Sequence, residues 1–152
     1  MDNIKKPNHY NQYSMEVKDM IAIIVADTEG YHAYCIGNVV KYVLRYNFKN
    51  GIEDLKKALE YIKFIGEDDH YFCLNVMKFP IDGICRRMLR DILTQDLRNN
   101  KINTMQFYVM QGLLEEDVTS LTNIKLLIEQ EIEELEDKIN IDEMERVWNI
   151  MG

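Results

Sequence analysis

Cys35-Ile36-Gly37-Asn38-Val39-Val40-Lys41-Tyr42-Val43-Leu44-Arg45-Tyr46 is the stretch on which the reading of this chain turns. On a helical wheel at about 100° per residue, Asn38, Lys41, Tyr42, Arg45 and Lys49 fall within roughly 60° of one line. Ile36, Val39, Val40, Val43 and Leu44 fall on the opposite side. The spacing predicts a helix over residues 34–48 with an apolar, buried face. Its other face presents an amide, a phenol and three cations.

The neighbouring segments repeat the pattern. Asn50-Gly51 is a turn, and a further helix is predicted over residues 52–65. Asn50 is placed to cap it, and Glu53 stands three residues on, as a capping box requires. Ile52, Leu55, Leu59 and Ile62 form its apolar stripe, with Asp54, Lys57 and Tyr61 on the other side. If the two helices form a hairpin, their polar faces border one groove. Upstream, Ser14 reads as the N-cap of a helix over residues 15–27, which Gly30 stops.

Downstream, residues 71–79 read as a short helix or a strand, ended by Pro80. A helix over residues 81–97 would turn Ile84, Met88, Leu89, Ile92 and Leu93 inward, and Asn99-Asn100 makes a turn. Residues 105–114 fit a helix or a strand. A long amphipathic helix follows over residues 121–139, with Ile128, Ile132, Leu135 and Ile139 at the four-three-four spacing of a coiled-coil seam. A separate short helix is predicted over residues 141–151. The fold expected is all-α: a helical core with a hairpin over residues 1–66, then a helical extension over 67–152. The seam predicts self-association as a dimer or higher oligomer.

Charge is unevenly spread. The net charge is −8, yet residues 1–66 hold nine Lys and Arg against eight Asp and Glu. Residues 112–152 hold three against twelve. Without a basic excess, a general duplex-DNA binder is disfavoured. Three cysteines at irregular spacing form no disulfide framework, and Cys35 is expected near the core. The opening residues lack a signal-peptide pattern, and the apolar run at residues 20–26 is too short to span a bilayer. A cytoplasmic protein with no membrane partner is the expectation. His9, His32 and His70 show no metal-ligand spacing, and His32 is expected in a loop. The acidic run through Glu131, Glu133, Glu134, Glu136 and Asp137 reads as the solvated flank of the seam. Arg86, Arg87 and Arg90 form a basic cluster able to pair with the acidic tail, within a chain or across a dimer.

The polar groove is suited to a nucleotide. Arg and Lys match phosphate oxygens, Asn38 can bond a base or ribose, and Tyr42 or Tyr61 can stack. Charge-assisted hydrogen bonds contribute about 1.5–3 kcal/mol each, so a few would give millimolar to micromolar affinity. A solvated helix face has the same spacing, and spacing alone does not separate the two readings. No GxxxxGK[ST] loop is present, so any kinase chemistry would need a scaffold other than a P-loop.

Lys6-Pro7-Asn8-His9-Tyr10, Met15-Glu16-Val17, the 35–46 stretch, Glu53-Asp54-Leu55-Lys56-Lys57-Ala58 and Tyr61 occur in one order. Over residues 5–66 this order resembles the SaV-like family of small phage proteins, which includes a nucleotide kinase of unusual type. The resemblance implies a phage protein in the cytoplasm of an infected bacterium. It implies nucleotide binding, with nucleoside monophosphate kinase activity as the sharper expectation. Lys6, His9 and Tyr10 would then form an N-terminal arm, and Asn38, Lys41 and Arg45 would hold the ligand. Glu16 and Asp54 would orient a cation or hold a magnesium ion that accompanies the nucleotide. The acidic segment from residue 112 has no counterpart in this pattern. It suggests an alternative: an effector that binds and inhibits a host protein, such as a defence nuclease or a replication enzyme. A structural or assembly module is the third reading.

Overall fold

A computed structural model describes residues 12–66, 80–115 and 118–152. Those residues form six helices and no strand: α1 Val17–Ile24, α2 Gly30–Arg45, α3 Ile52–Gly66, α4 Pro80–Arg98, α5 Thr104–Glu115 and α6 Val118–Met151. The all-α expectation is met. Residues 71–79 lie outside the described residues.

The core is built from the apolar faces that the periodicity marks. Val39, Val40, Val43 and Leu44 of α2 meet Leu55, Ala58, Ile62 and Ile65 of α3, all buried. Met20 and Ile24 of α1, Leu89 and Leu93 of α4, and Val109, Met110 and Leu114 of α5 join the same cluster, as do Ile124, Ile128 and Ile132 of α6. Helices from both halves of the chain thus share one core. Cys35 is buried within it, as expected.

Several boundaries differ from the sequence reading, each for a local reason. Ser14 does not cap α1; Glu16 takes the N-cap position. The Ser14 N–H instead donates to Asp96 Oδ2 at 3.1 Å, and its hydroxyl donates to Oδ1. Asp96 is fully buried, so this clip satisfies a carboxylate that the core would otherwise strand. Gly30 opens α2 rather than closing α1, which places His32 in a helix, buried, not in a loop. Residues 105–114 are helical, begun by a capping box. The Asn103 N–H donates to Gln106 Oε1 at 2.9 Å, and the Gln106 N–H donates to Asn103 Oδ1 at 2.8 Å. Asn100 ends the preceding turn with φ of 56°, the left-handed conformation Asn tolerates.

Helix α4 is rotated from the expected orientation. Leu89 and Leu93 face inward, but Ile84 and Met88 are exposed and Ile92 is half-buried. Arg86 points inward instead. Its Nη1 donates to the Leu114 carbonyl at 2.7 Å and its Nη2 to the Ile24 carbonyl at 3.4 Å, with Asp27 Oδ2 at 3.9 Å. The cation thus serves the C-terminal ends of α1 and α5, where the helix dipole favours positive charge. Arg86 is therefore not part of an outward basic cluster, whereas Arg87 and Arg90 are exposed.

Residues 118–151 form one continuous helix, not two. No glycine or proline lies between Leu113 and Met151 to interrupt it. The expected stripe is present, but its first turns meet the chain's own core. Ile128 and Ile132 are buried, Leu135 is partly buried, and Ile139 is exposed. Gly112 allows the close approach of α5 to α6: a Cβ there would stand 3.0 Å from Ile124 Cδ1. In urea unfolding, Ile128→Ala is expected to cost about 2–5 kcal/mol. Ile150→Ala, at a position 84% exposed, is expected to stay within about 0.5 kcal/mol of the parent. Equal losses at both positions would contradict this account of α6.

Candidate functional site

The α2–α3 hairpin gathers aromatic and cationic side chains on its polar side. The turn between the helices comes first. Gly51 has φ of 53° and donates its N–H to the Tyr46 carbonyl at 2.9 Å. Glycine adopts this left-handed geometry without steric cost. Asn50 accepts the Glu53 N–H on its carbonyl at 3.2 Å, and its Nδ2 donates to Asp54 Oδ1 at 3.4 Å. The Glu53 side chain does not fold back into a capping box; it pairs with Lys57 at 2.9 Å.

Asp54 anchors the site. It was expected on the polar face of α3 and is fully buried. Arg45 reaches it with a two-pronged grip: Nε donates to Oδ2 at 3.0 Å and Nη2 to Oδ1 at 3.1 Å. Burial pushes the Asp54 carboxyl up, but the hydrogen bonds and charge of Arg45, with Asn50, outweigh it and hold the carboxyl below its usual range. The cation that Asp54 meets is the guanidinium of its own hairpin.

The Arg45 guanidinium carbon lies 4.8 Å from the Tyr42 ring centre. Lys41 Nζ lies 4.5 Å from the same centre and Lys57 Nζ 5.8 Å. Three cations around one phenol are each within cation–π range. Tyr42 in turn stacks on Tyr61, with centroids 5.9 Å apart and planes 24° from parallel. Tyr34 and Phe64 meet Tyr61 edge-on at 5.7 and 5.8 Å. The Tyr34 and Tyr61 hydroxyls are 3.3 Å apart. That contact, aided by desolvation, pushes the Tyr61 phenol up to about 12.

Asn38 links the lysine to the aromatic end. Its Nδ2 donates to the Tyr34 carbonyl at 2.9 Å, and its Oδ1 accepts from Lys41 Nζ at 2.9 Å. Lys41 thus meets a neutral amide rather than a carboxylate. The hydrogen bond that Lys57 donates to the Glu53 carboxylate raises the Lys57 pKa.

Of the residues singled out in the sequence, Asn38, Lys41, Tyr42, Arg45, Asp54, Lys57 and Tyr61 come together here. Lys49 does not join them; α2 ends at Arg45 and Lys49 lies exposed in the turn. Glu16 sits at the start of α1 and pairs with Lys18 at 3.3 Å. Lys6, His9 and Tyr10 lie outside the described residues. The sequence reading missed Tyr34 and Phe64 as members. Their signal was spacing: Tyr34 stands one turn before Asn38, and Phe64 three residues after Tyr61. It also missed that Asp54 would face the core.

A magnesium site does not fit these donors. Both Asp54 oxygens are engaged by Arg45 and Asn50. Among the described residues, no cluster of three or more His, Cys, Asp or Glu has metal-binding geometry. No described helix is long and apolar enough to cross a membrane.

Residues 4–63 match the model of DUF3310, a family of proteins of unknown function. The match spans α1, α2 and most of α3, and with them nearly all of the site. No curated protein and no solved structure matches the chain.

Removing one partner of the buried pair should be costly, since the other charge is then stranded. Asp54→Ala is expected to lose about 3–5 kcal/mol. The Arg45→Met/Asp54→Leu double variant should lose less than the two single changes together. The depressed Asp54 pKa sets the pH dependence. Its stabilisation is complete above the ordinary carboxylate range of about 4 and is lost as pH falls through the lower folded value. Urea midpoints measured from neutral pH down to pH 3 should fall more steeply for the parent chain than for Asp54→Asn.

Proposed function

We propose that the α2–α3 face binds a nucleotide. The observation that carries this reading is the stacked Tyr42–Tyr61 pair with Lys41 and Lys57 beside it. An exposed aromatic edge next to ammonium groups suits a ligand with both a planar base and a phosphate. Lys41 and Lys57 take the phosphate, as point charges with rotatable donors. Tyr34, Tyr61 and Phe64 offer the base a surface to stack on; base–aromatic stacking contributes about 1–3 kcal/mol. Arg45, held by Asp54, acts by steadying Tyr42 rather than by gripping phosphate. Asn38 sets the position of Lys41.

The resemblance to the SaV-like phage proteins supports the same ligand class and sharpens it to a nucleoside monophosphate kinase. In that reaction the terminal phosphoryl group passes from a nucleoside triphosphate to a phosphate oxygen of the monophosphate, leaving two diphosphates. With no P-loop in the chain, charge stabilisation would fall to side chains such as Lys41 and Lys57. The rival reading, inhibition of a host protein by the acidic segment, rests on the charge of residues 112–152 and on the lack of a clear catalytic set in the sequence.

Calorimetric titration with deoxynucleoside mono- and triphosphates is the test. Micromolar to millimolar binding is expected. Lys41→Ala and Lys57→Ala should each weaken it about tenfold, since a charge-assisted hydrogen bond contributes about 1.5–3 kcal/mol, and both should leave the urea midpoint nearly unchanged. Absence of binding at millimolar ligand, or binding indifferent to both lysines, would refute the assignment.

A further inference from the structure

The last turn of α2 carries Arg45, and distant parts of the chain hold that turn. Tyr13, ahead of α1, donates its hydroxyl to the Leu44 carbonyl. Gln106, in the first turn of α5, donates its Nε2 to the Val43 carbonyl at 3.0 Å. Tyr46, the residue after Arg45, is 3% exposed. Its hydroxyl accepts from Asn103 Nδ2 at 2.6 Å and donates to Glu131 Oε1 of α6 at 2.8 Å. The Tyr46 carbonyl takes the Gly51 N–H that closes the turn into α3.

The capping box of α5 has a second use here. A side-chain amide has an acceptor end and a donor end. The oxygens of Asn103 and Gln106 close the cap on each other's backbone N–H. Their nitrogens both reach α2, one at the Tyr46 hydroxyl and one at the Val43 carbonyl. The last carbonyls of a helix lack partners within it, so this grip falls where α2 can accept it. Glu131 stands between two buried residues of α6, Ile128 and Ile132, which fix its backbone against the core. Burial first, then the bond to Glu131, pushes the Tyr46 phenol up, so it serves as a neutral donor.

The path from this grip to the candidate site is short. Consecutive residues on a helix point about 100° apart. Tyr46 thus faces α5 and α6, while Arg45 faces Asp54 and Tyr42. A two-pronged pairing is geometrically demanding, and a shift of the last turn would spoil it. Asn103, Gln106 and Glu131 all lie beyond the family-matched residues 4–63. The matched hairpin does not hold its own last turn alone.

We infer that Tyr46 is a positioning residue of the tyrosine–lysine face, held in place by Asn103 and Glu131. The inference rests on the nucleotide reading of that face and gives the second half of the chain a part in it. Tyr46 sets the last turn of α2. The turn sets the Arg45 guanidinium, and the guanidinium steadies Tyr42 beside Lys41 and Lys57. Nucleotide affinity therefore depends on hydrogen bonds made far from the ligand, by α6 and the start of α5.

Calorimetric titration of the full chain with deoxynucleoside monophosphates tests this, with a urea midpoint measured on each variant. Tyr46→Phe keeps the ring and removes the hydroxyl. It should weaken binding about fivefold, the scale of one net hydrogen bond. Glu131→Ala should weaken it by a similar factor, and the double variant no further than the weaker single one, since both break one network. Glu131→Gln, whose Oε1 still accepts from the phenol, should bind as the parent does. Ile128→Val loosens the core of the same helix and should lower the urea midpoint without changing affinity. If Tyr46→Phe and Glu131→Ala lower only the urea midpoint and bind as tightly as the parent, Tyr46 is a structural brace and the inference is overturned. A Glu131→Gln variant as weak as Glu131→Ala overturns it too. Either result leaves the nucleotide reading standing, because the parent still binds. A parent chain that binds none of these ligands removes both.

Discussion

The ion pair between Arg45 and Asp54 is the constraint on which the candidate site depends. It joins the last turn of α2 to the first turn of α3, across the tight turn at Gly51. A buried carboxylate is costly unless its charge is met and its oxygens are bonded. Arg45 does both with one planar group, and Asn50 adds a third donor. Once the guanidinium is fixed, it lies against Tyr42, and Tyr42 stacks on Tyr61. The register of two helices is thereby passed to the aromatic face. Apolar packing of α2 on α3 supplies the stability; the ion pair sets which residues lie opposite one another.

This arrangement explains how much could be read from the sequence. The apolar stripes of α2 and α3 were legible because both helices are amphipathic with one buried face each. The polar residues of the site were legible for the same reason. Asp54 was not. On a wheel it lies with Lys57 and Tyr61, but a wheel does not show that a neighbouring helix ends at the same level and buries that position. Ser14 and Arg86 failed similarly: each makes its bond to a distant segment, Asp96 in one case and the ends of α1 and α5 in the other. The capping box at Asn103 and Gln106 was written in the sequence. It was overlooked because the following apolar residues fit either period.

The last helix shows where periodicity alone runs out. Ile128, Ile132 and Leu135 have the spacing of an intermolecular seam, and the same spacing serves a helix packed on its own core. Only the fold decides between them. What distinguishes the end of α6 is a second face: Ile141, Met144, Trp148 and Met151 lie on the side of the helix opposite Ile128 and Ile132. One helix thus has two tasks along its length, closing the core first and presenting an acidic, apolar end afterwards. The net charge of the chain is concentrated in this element, while the nearly neutral first half holds the tyrosine–lysine face.

The central claim is that this face, organised by the buried pair, receives a nucleotide. A crystal of the protein soaked with a deoxynucleoside monophosphate tests it most directly. The account predicts phosphate density between Lys41 and Lys57, with the base lying on the Tyr34, Tyr61 and Phe64 edge and the Arg45–Asp54 pair intact. Density for the nucleotide elsewhere on the molecule, or an empty tyrosine–lysine face at saturating ligand, would contradict it.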